Sequence, residues 1–174
     1  APTNEEGLFI SSFDIFVAEK HASLGLWCEI REMNNDGVVS ANRVPLSDVY
    51  VANSDIVTSD DATVPLHINF RAPIFLYNNK EYALVIHSYQ VNPDLYLWVS
   101  KLGEDDINTG NKVSSRTYTG TFYSTNNNMD WYPIAQTDLK MVLYRAVFDT
   151  SSTGTIIIGN KPVEKFKLSN TTAV

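Results

Sequence analysis

The sequence predicts an all-β fold, an antiparallel β-sandwich, and three observations carry that expectation. Apolar and polar residues alternate with a period near two over much of the chain. Clusters of Gly, Asn and Asp interrupt those runs at regular intervals. No stretch of roughly ten residues or more carries a convincing amphipathic helix. Alternation at period two puts one side of each strand on a core and leaves the other solvated, which is the mark of sheets packed on one face.

Taken in order, "FISSFDIFVA" (9–18) brings Phe9, Phe13, Ile15 and Val17 to one parity. "LGLWCEIRE" (24–32) does the same with Leu24, Leu26, Cys28 and Ile30. In "VPLSDVYV" (44–51) the β-branched and aromatic run Val49, Tyr50 and Val51 outweighs a trace of three-and-four spacing and favours a strand. "TVPLHINF" (63–70), "EYALVIHSY" (81–89), "DLYLWVSKL" (94–102), "RTYTGTFY" (116–123) and "DLKMVLYRAVF" (138–148) complete a set of about eight strands. Between them "NNDG" (34–37), "YNNK" (77–80), "VNPD" (91–94), "NTGN" (108–111) and "STNNN" (124–128) read as turns. Gly and Asn accept positive φ there, and Asp and Asn bond their own backbone.

A length of 174 residues suits one domain with a sizeable core. Residues 1–148 are expected to form the sandwich, with 149–174 a linker, "DTSSTG" (149–154), and a C-terminal segment that contacts a neighbouring domain or chain. The apolar piece "TIIIG" (155–159) is too short to fold alone, so pairing with another strand is its natural fate. The start at Ala1 suggests a processed chain or a piece of a longer one.

Charge and composition narrow the function classes. The net charge of −7 and pI near 4.8, with Lys and Arg scattered singly, argue against a nucleic-acid partner. The longest apolar runs fall far short of the roughly 18 residues that cross a bilayer as a helix. No basic and apolar leader opens the chain. Cys28 is the single cysteine, which rules out an intrachain disulfide and a cysteine-based zinc site and makes it a small core residue.

The stretch "VSKLGEDDINTG" (99–110) sets Glu104, Asp105 and Asp106 in a row. Adjacent residues on an extended chain point to opposite faces, so glycoside hydrolysis would need a distant second acid that the sequence does not nominate. Calcium-loop spacing fails from Asp106, where Gly110 falls on a ligand position, and from Glu32, where Gly37 fits but Arg43 stands at the twelfth position. His21, His67 and His87 lie far apart, and no nucleophile elbow or phosphate loop occurs. These patterns predict no catalytic residue, metal or cofactor. They leave Glu104, Asp105, Asp106 and Gly110 as a structural turn in which at least one carboxylate caps backbone N–H groups. Aromatic residues are the other lead. In "DLYLWVS" both parities are apolar, and Tyr96, Trp98 and Trp131 are the first candidates for stacking on a sugar ring, against the alternative that they fill the core.

An ordered series of motifs carries a resemblance: "EIREMNNDG" (29–37), "RVPLSDV" (43–49), "FRAPIFLYNNKEYALVI" (70–86), "LWVSKLGEDDINTG" (97–110), "YTGTFYSTNN" (118–127), "DW" (130–131) and "DLKMVLYRAVF" (138–148). Over about 9–148 the chain resembles a module of the tail and baseplate structural proteins of T4-like contractile-tailed bacteriophages. The resemblance implies a jelly-roll-like β-sandwich without catalytic activity, residing in the virion after assembly in the host cytoplasm. Its implied partners are other tail or baseplate subunits. A carbohydrate-binding module that recognises host-surface glycans through loop-end aromatics is the alternative. One departure stands out: where the family has Lys-Ser-Gln-Asn, this chain has Tyr123, Ser124, Thr125 and Asn126.

Overall fold

The computed structural model describes residues 6–88, 90, 94–115, 120–149 and 151. They form an almost purely β, antiparallel structure. In chain order the strands are β1 (Gly7–Ile15), β2 (Val17–Glu19), β3 (Leu26–Met33), β4 (Val39–Arg43), β5 (Val49–Val51), β6 (Leu66–Tyr77) and β7 (Tyr82–His87). The second half follows with β8 (Tyr96–Leu97), β9 (Val99–Lys101), β10 (Phe122–Ser124), β11 (Tyr132–Ile134), β12 (Thr137–Leu139) and β13 (Met141–Arg145). One 3-10 turn, Asn53–Asp55, is the only helical element among the described residues.

Two sheets dominate. In the first, β1 lies between β13 and β6. In the second, β3 is central: β7 pairs along one side, while β4 and β5 share the other. The core draws on both. Phe13 and Ile15 of β1 and Leu66, Ile68 and Phe70 of β6 join Leu26, Cys28 and Ile30 of β3 in one buried cluster. Burial of this apolar area, at about 25 cal/mol per Å², is the principal stabilising term.

Where β4 ends and β5 has yet to begin, the edge of β3 would be left with an unpaired amide. Ser47, fully buried, fills that gap. Its hydroxyl accepts the Ile30 N–H at 3.0 Å and lies 2.7 Å from the Val44 carbonyl. The intervening turn, 44–47, closes with the Ser47 N–H donating to the Val44 carbonyl and carries Leu46 at φ 65°. Glycine usually holds that position, because a side chain there crowds the backbone.

Several strand expectations shift. The run 44–51 is a strand only over its last three residues, because Pro45 and the positive φ at Leu46 turn the chain first. Strand β6 runs on to Tyr77, through Pro73, which a sheet edge tolerates because one of its sides needs no N–H donor. The strand at 94–102 is broken into β8 and β9, and that at 138–148 into β12 and β13. Strands β4 and β11 were not anticipated.

Phe9 does not share the core parity of Phe13 and Ile15. The register of β1 against β13 slips between Ile10 and Ser12, so Ile10 enters the core and Phe9 faces out. One extra residue, Ser11, is a β-bulge, and a bulge reverses the face of every residue beyond it. The turn expected at 91–94 and the strand expected from 116 lie partly outside the described residues, as do Tyr118 and nearly all of 149–174.

Candidate functional site

The acidic stretch closes a loop. Gly103 N–H donates to the Val113 carbonyl and Val113 N–H to the Glu104 carbonyl, so the chain pairs with itself on either side of 106–111. Asp106 organises the tip. Its Oδ1 accepts the Asn108 N–H at 3.1 Å, the Thr109 N–H at 2.8 Å and the Thr109 hydroxyl at 2.8 Å. Gly110, at φ 67°, donates its N–H to the Asp106 carbonyl. The Thr109 hydroxyl and amide hold the Asp106 carboxyl below the usual carboxylate range. Asp105 pairs with Lys112 at 2.9 Å and Glu104 with Lys101 at 3.2 Å, both in solvent. Exposed pairs of this kind contribute little to stability.

A second carboxylate is used the same way. Asp61 accepts the Ser59 hydroxyl and both the amide and the hydroxyl of Thr63, and these donors, Thr63 first, depress its pKa. Carboxylates held ionised by several donors are acceptors and poor proton donors. The two loops are then fastened together and to the strands behind them. The Trp98 indole N–H donates to the Ser59 carbonyl at 2.7 Å, the Asn108 amide to Asp61 at 3.0 Å, and the Lys140 ammonium to Ala62 at 2.7 Å. Lys140 also sits over the Phe16 ring, 4.6 Å from its centroid.

This arrangement separates the three aromatic candidates. Trp98 is half-buried, with its polar atom committed to Ser59. Trp131 lies over the guanidinium of Arg31, 5.9 Å from ring centroid to carbon. Tyr96 is exposed at the start of β8. No ring contact joins the three among the described residues.

Two ionisable clusters were not foreseen. On the outer face of β3, Glu29 and Arg31 are both buried and paired, with Arg31 Nε 2.6 Å from Glu29 Oε1. Arg43 and His87 approach the same carboxylate at 3.6 and 3.8 Å. Burial pushes the His87 imidazole below its ordinary pKa, against the pull of Glu29. Arg31 also donates to the Asn128 carbonyl, so the cluster fastens the loop 125–131 onto the sheet. The alternation of β3 placed Glu29 and Arg31 on one face. Only the pairing of β3 with β7 and the cover from Asn128 and Trp131 bury them.

On the outer face of the other sheet, Asp14 binds His67 Nδ1 at 2.6 Å and accepts the Tyr144 hydroxyl at 2.7 Å. That bond raises the Tyr144 pKa. His67 Nε2 faces the Asn69 side-chain oxygen at 3.2 Å. The carboxylate orients the imidazole, yet its far nitrogen meets an amide and not a hydroxyl or thiol to activate. Among the described residues no group of three His, Cys, Asp or Glu side chains could hold a metal ion.

The remaining feature is apolar. Among the described residues strand β13 pairs with β1 alone and its other edge has no partner, and Leu143 is 50% exposed although it stands opposite the fully buried Phe13. Val142, Val147 and Phe148 are exposed beside it. Phe148 meets Phe9 at 5.0 Å, Phe9 meets Phe75 at 4.8 Å, and Phe75 meets Tyr77 at 4.9 Å, a line of rings across the sheet surface. The bulge at Ser11 creates this line by turning Phe9 outward. Comparison of the chain with protein-family models, with curated proteins and with solved structures finds no match.

Proposed function

We propose that the chain is a noncatalytic structural module of a bacteriophage tail or baseplate, a jelly-roll-like sandwich that makes assembly contacts with neighbouring subunits. The observation that carries this reading is the apolar edge at β13, where Leu143 and Val147 are 50% and 83% exposed beside a strand edge with no partner among the described residues. Contiguous apolar surface on a strand edge invites another chain. Supporting it, the motif residues Trp98, Asp106, Asn108 and Lys140 are spent on backbone ties and hold the module rigid.

Mass spectrometry and immunogold labelling of purified particles from the genome encoding the chain test the assignment. The expected result is the chain in intact tails at stoichiometric amount; its absence from them defeats the reading. A carbohydrate-binding role is the second reading, and the exposed Tyr96 ring favours it. Glycan-array binding that disappears in Tyr96→Ala, in a protein that stays folded, would promote it over the first.

A further inference from the structure

Beside the turn 44–47 lies an open groove of about 700 Å³. Its apolar wall includes Leu46, Pro73, Phe75 and Tyr77. A second groove of about 750 Å³ adjoins it, since Glu32 lines both; Lys80 in its wall is paired with Glu32 at 2.9 Å, and Asp36 and Glu81 leave it acidic on balance. Leu46 is 60% exposed and is held in the left-handed region by a turn whose Ser47 is locked into the β3 edge. A leucine carried at positive φ and directed to solvent is costly twice, in backbone strain and in exposed apolar area. Both costs are offset when an apolar segment covers it.

We propose that the chain's own C-terminal segment, 155–161 with the sequence TIIIGNK, docks in these grooves: Ile156, Ile157 and Ile158 against Leu46, Phe75 and Tyr77, and Lys161 toward Asp36 and Glu81. Three observations select this occupant. The line of rings from Phe148 through Phe9 and Phe75 to Tyr77 leads from the end of the described chain to the groove wall in three steps of 4.8–5.0 Å. The six residues 149–154 reach about 20 Å when extended, more than those steps together. The order of the segment, an apolar triplet and then a lysine, matches an apolar groove continued by an acidic one.

Disulfide trapping in the full chain tests this. Leu46→Cys combined with Ile157→Cys is oxidised at low protein concentration beside two control pairs, Val57→Cys and Val142→Cys, each with Ile157→Cys. Cys28 does not compete, because it is fully buried. A disulfide forms only when the two Cα atoms come within about 7 Å. The expected result is an intrachain crosslink at position 46 at least tenfold faster than at 57 or 142. Tyr77→Cys with Ile157→Cys repeats the test where the turn variant fails to fold. Equal rates at all positions, a preferred crosslink at the β13 residue Val142, or a crosslink at 46 found only between chains overturns the proposal. The location of the chain in a tail is a separate measurement, so either idea can fail alone.

Discussion

The loops around Asp61 and Asp106 and the strand edge at β13 are both surface regions, yet they are built on opposite terms. In the first, exposed carboxylates accept the Thr63 and Thr109 amides, and three side-chain donors bond the Ser59, Asp61 and Ala62 carbonyls. In the second, apolar side chains stand in water and one strand edge has no partner strand among the described residues. The difference teaches that the polar loops are tied into the fold by their own side chains, whereas the apolar edge is the surface left without such ties among the described residues.

The largest expected effect lies outside both regions, on the outer face of β3. Arg31→Met leaves the buried Glu29 carboxylate without its closest partner, and a loss of about 3–5 kcal/mol in urea unfolding is expected. Trp98→Ala removes a half-buried ring and the tie to Ser59; about 3 kcal/mol should be lost, against about 1 kcal/mol for Trp98→Phe, which keeps the ring and loses the hydrogen bond. Ser47→Ala strands the Ile30 N–H in the interior, costing about 1–3 kcal/mol by the same measurement.

A pH titration sharpens the polar side of the comparison. The folded pKa values of Asp61 and Asp106 lie below the ordinary 3.8. Their stabilising contribution is therefore complete above that value and fades as the pH falls through the depressed folded values. Melting temperature measured from pH 6 down to 2 should drop in the native chain, and drop less in Asp61→Asn with Asp106→Asn. The smallest effect on stability is expected from Leu143→Lys with Val147→Lys on the open edge, within about 0.5 kcal/mol of the native chain. Association with a neighbouring subunit should nevertheless be lost, as sedimentation of the mixture would read.

How far these regions were legible in the sequence follows from the range of the interactions. The alternation in β3 and β7, the turn at Gly37 with φ 73°, and the acidic turn through Gly110 are local, and local pattern finds them. The ties from Trp98 to Ser59 and from Lys140 to Ala62 cross 39 and 78 residues, and nothing in either neighbourhood announces them. Strand β4, "VSANR", lacks alternation because Ala41, Asn42 and Arg43 are all exposed, and its place is set by pairing with β3. The line of rings was invisible for a different reason: reading Phe9 on the parity of Phe13 assumes an unbroken register, and the bulge at Ser11 breaks it.

That bulge makes the surface of this domain sensitive to strand register as well as to composition. Deleting Ser11 would remove the extra residue and leave Ile10 inward and Phe9 outward, whereas taking Ser11 into regular pairing, with β13 offset by one residue, would carry Phe9 inward and send Ile10 to the exterior. The outward line of rings therefore hangs on the offset at which β1 and β13 meet, and a one-residue slip between the two strands would exchange one exposed face for the other without any new side chain.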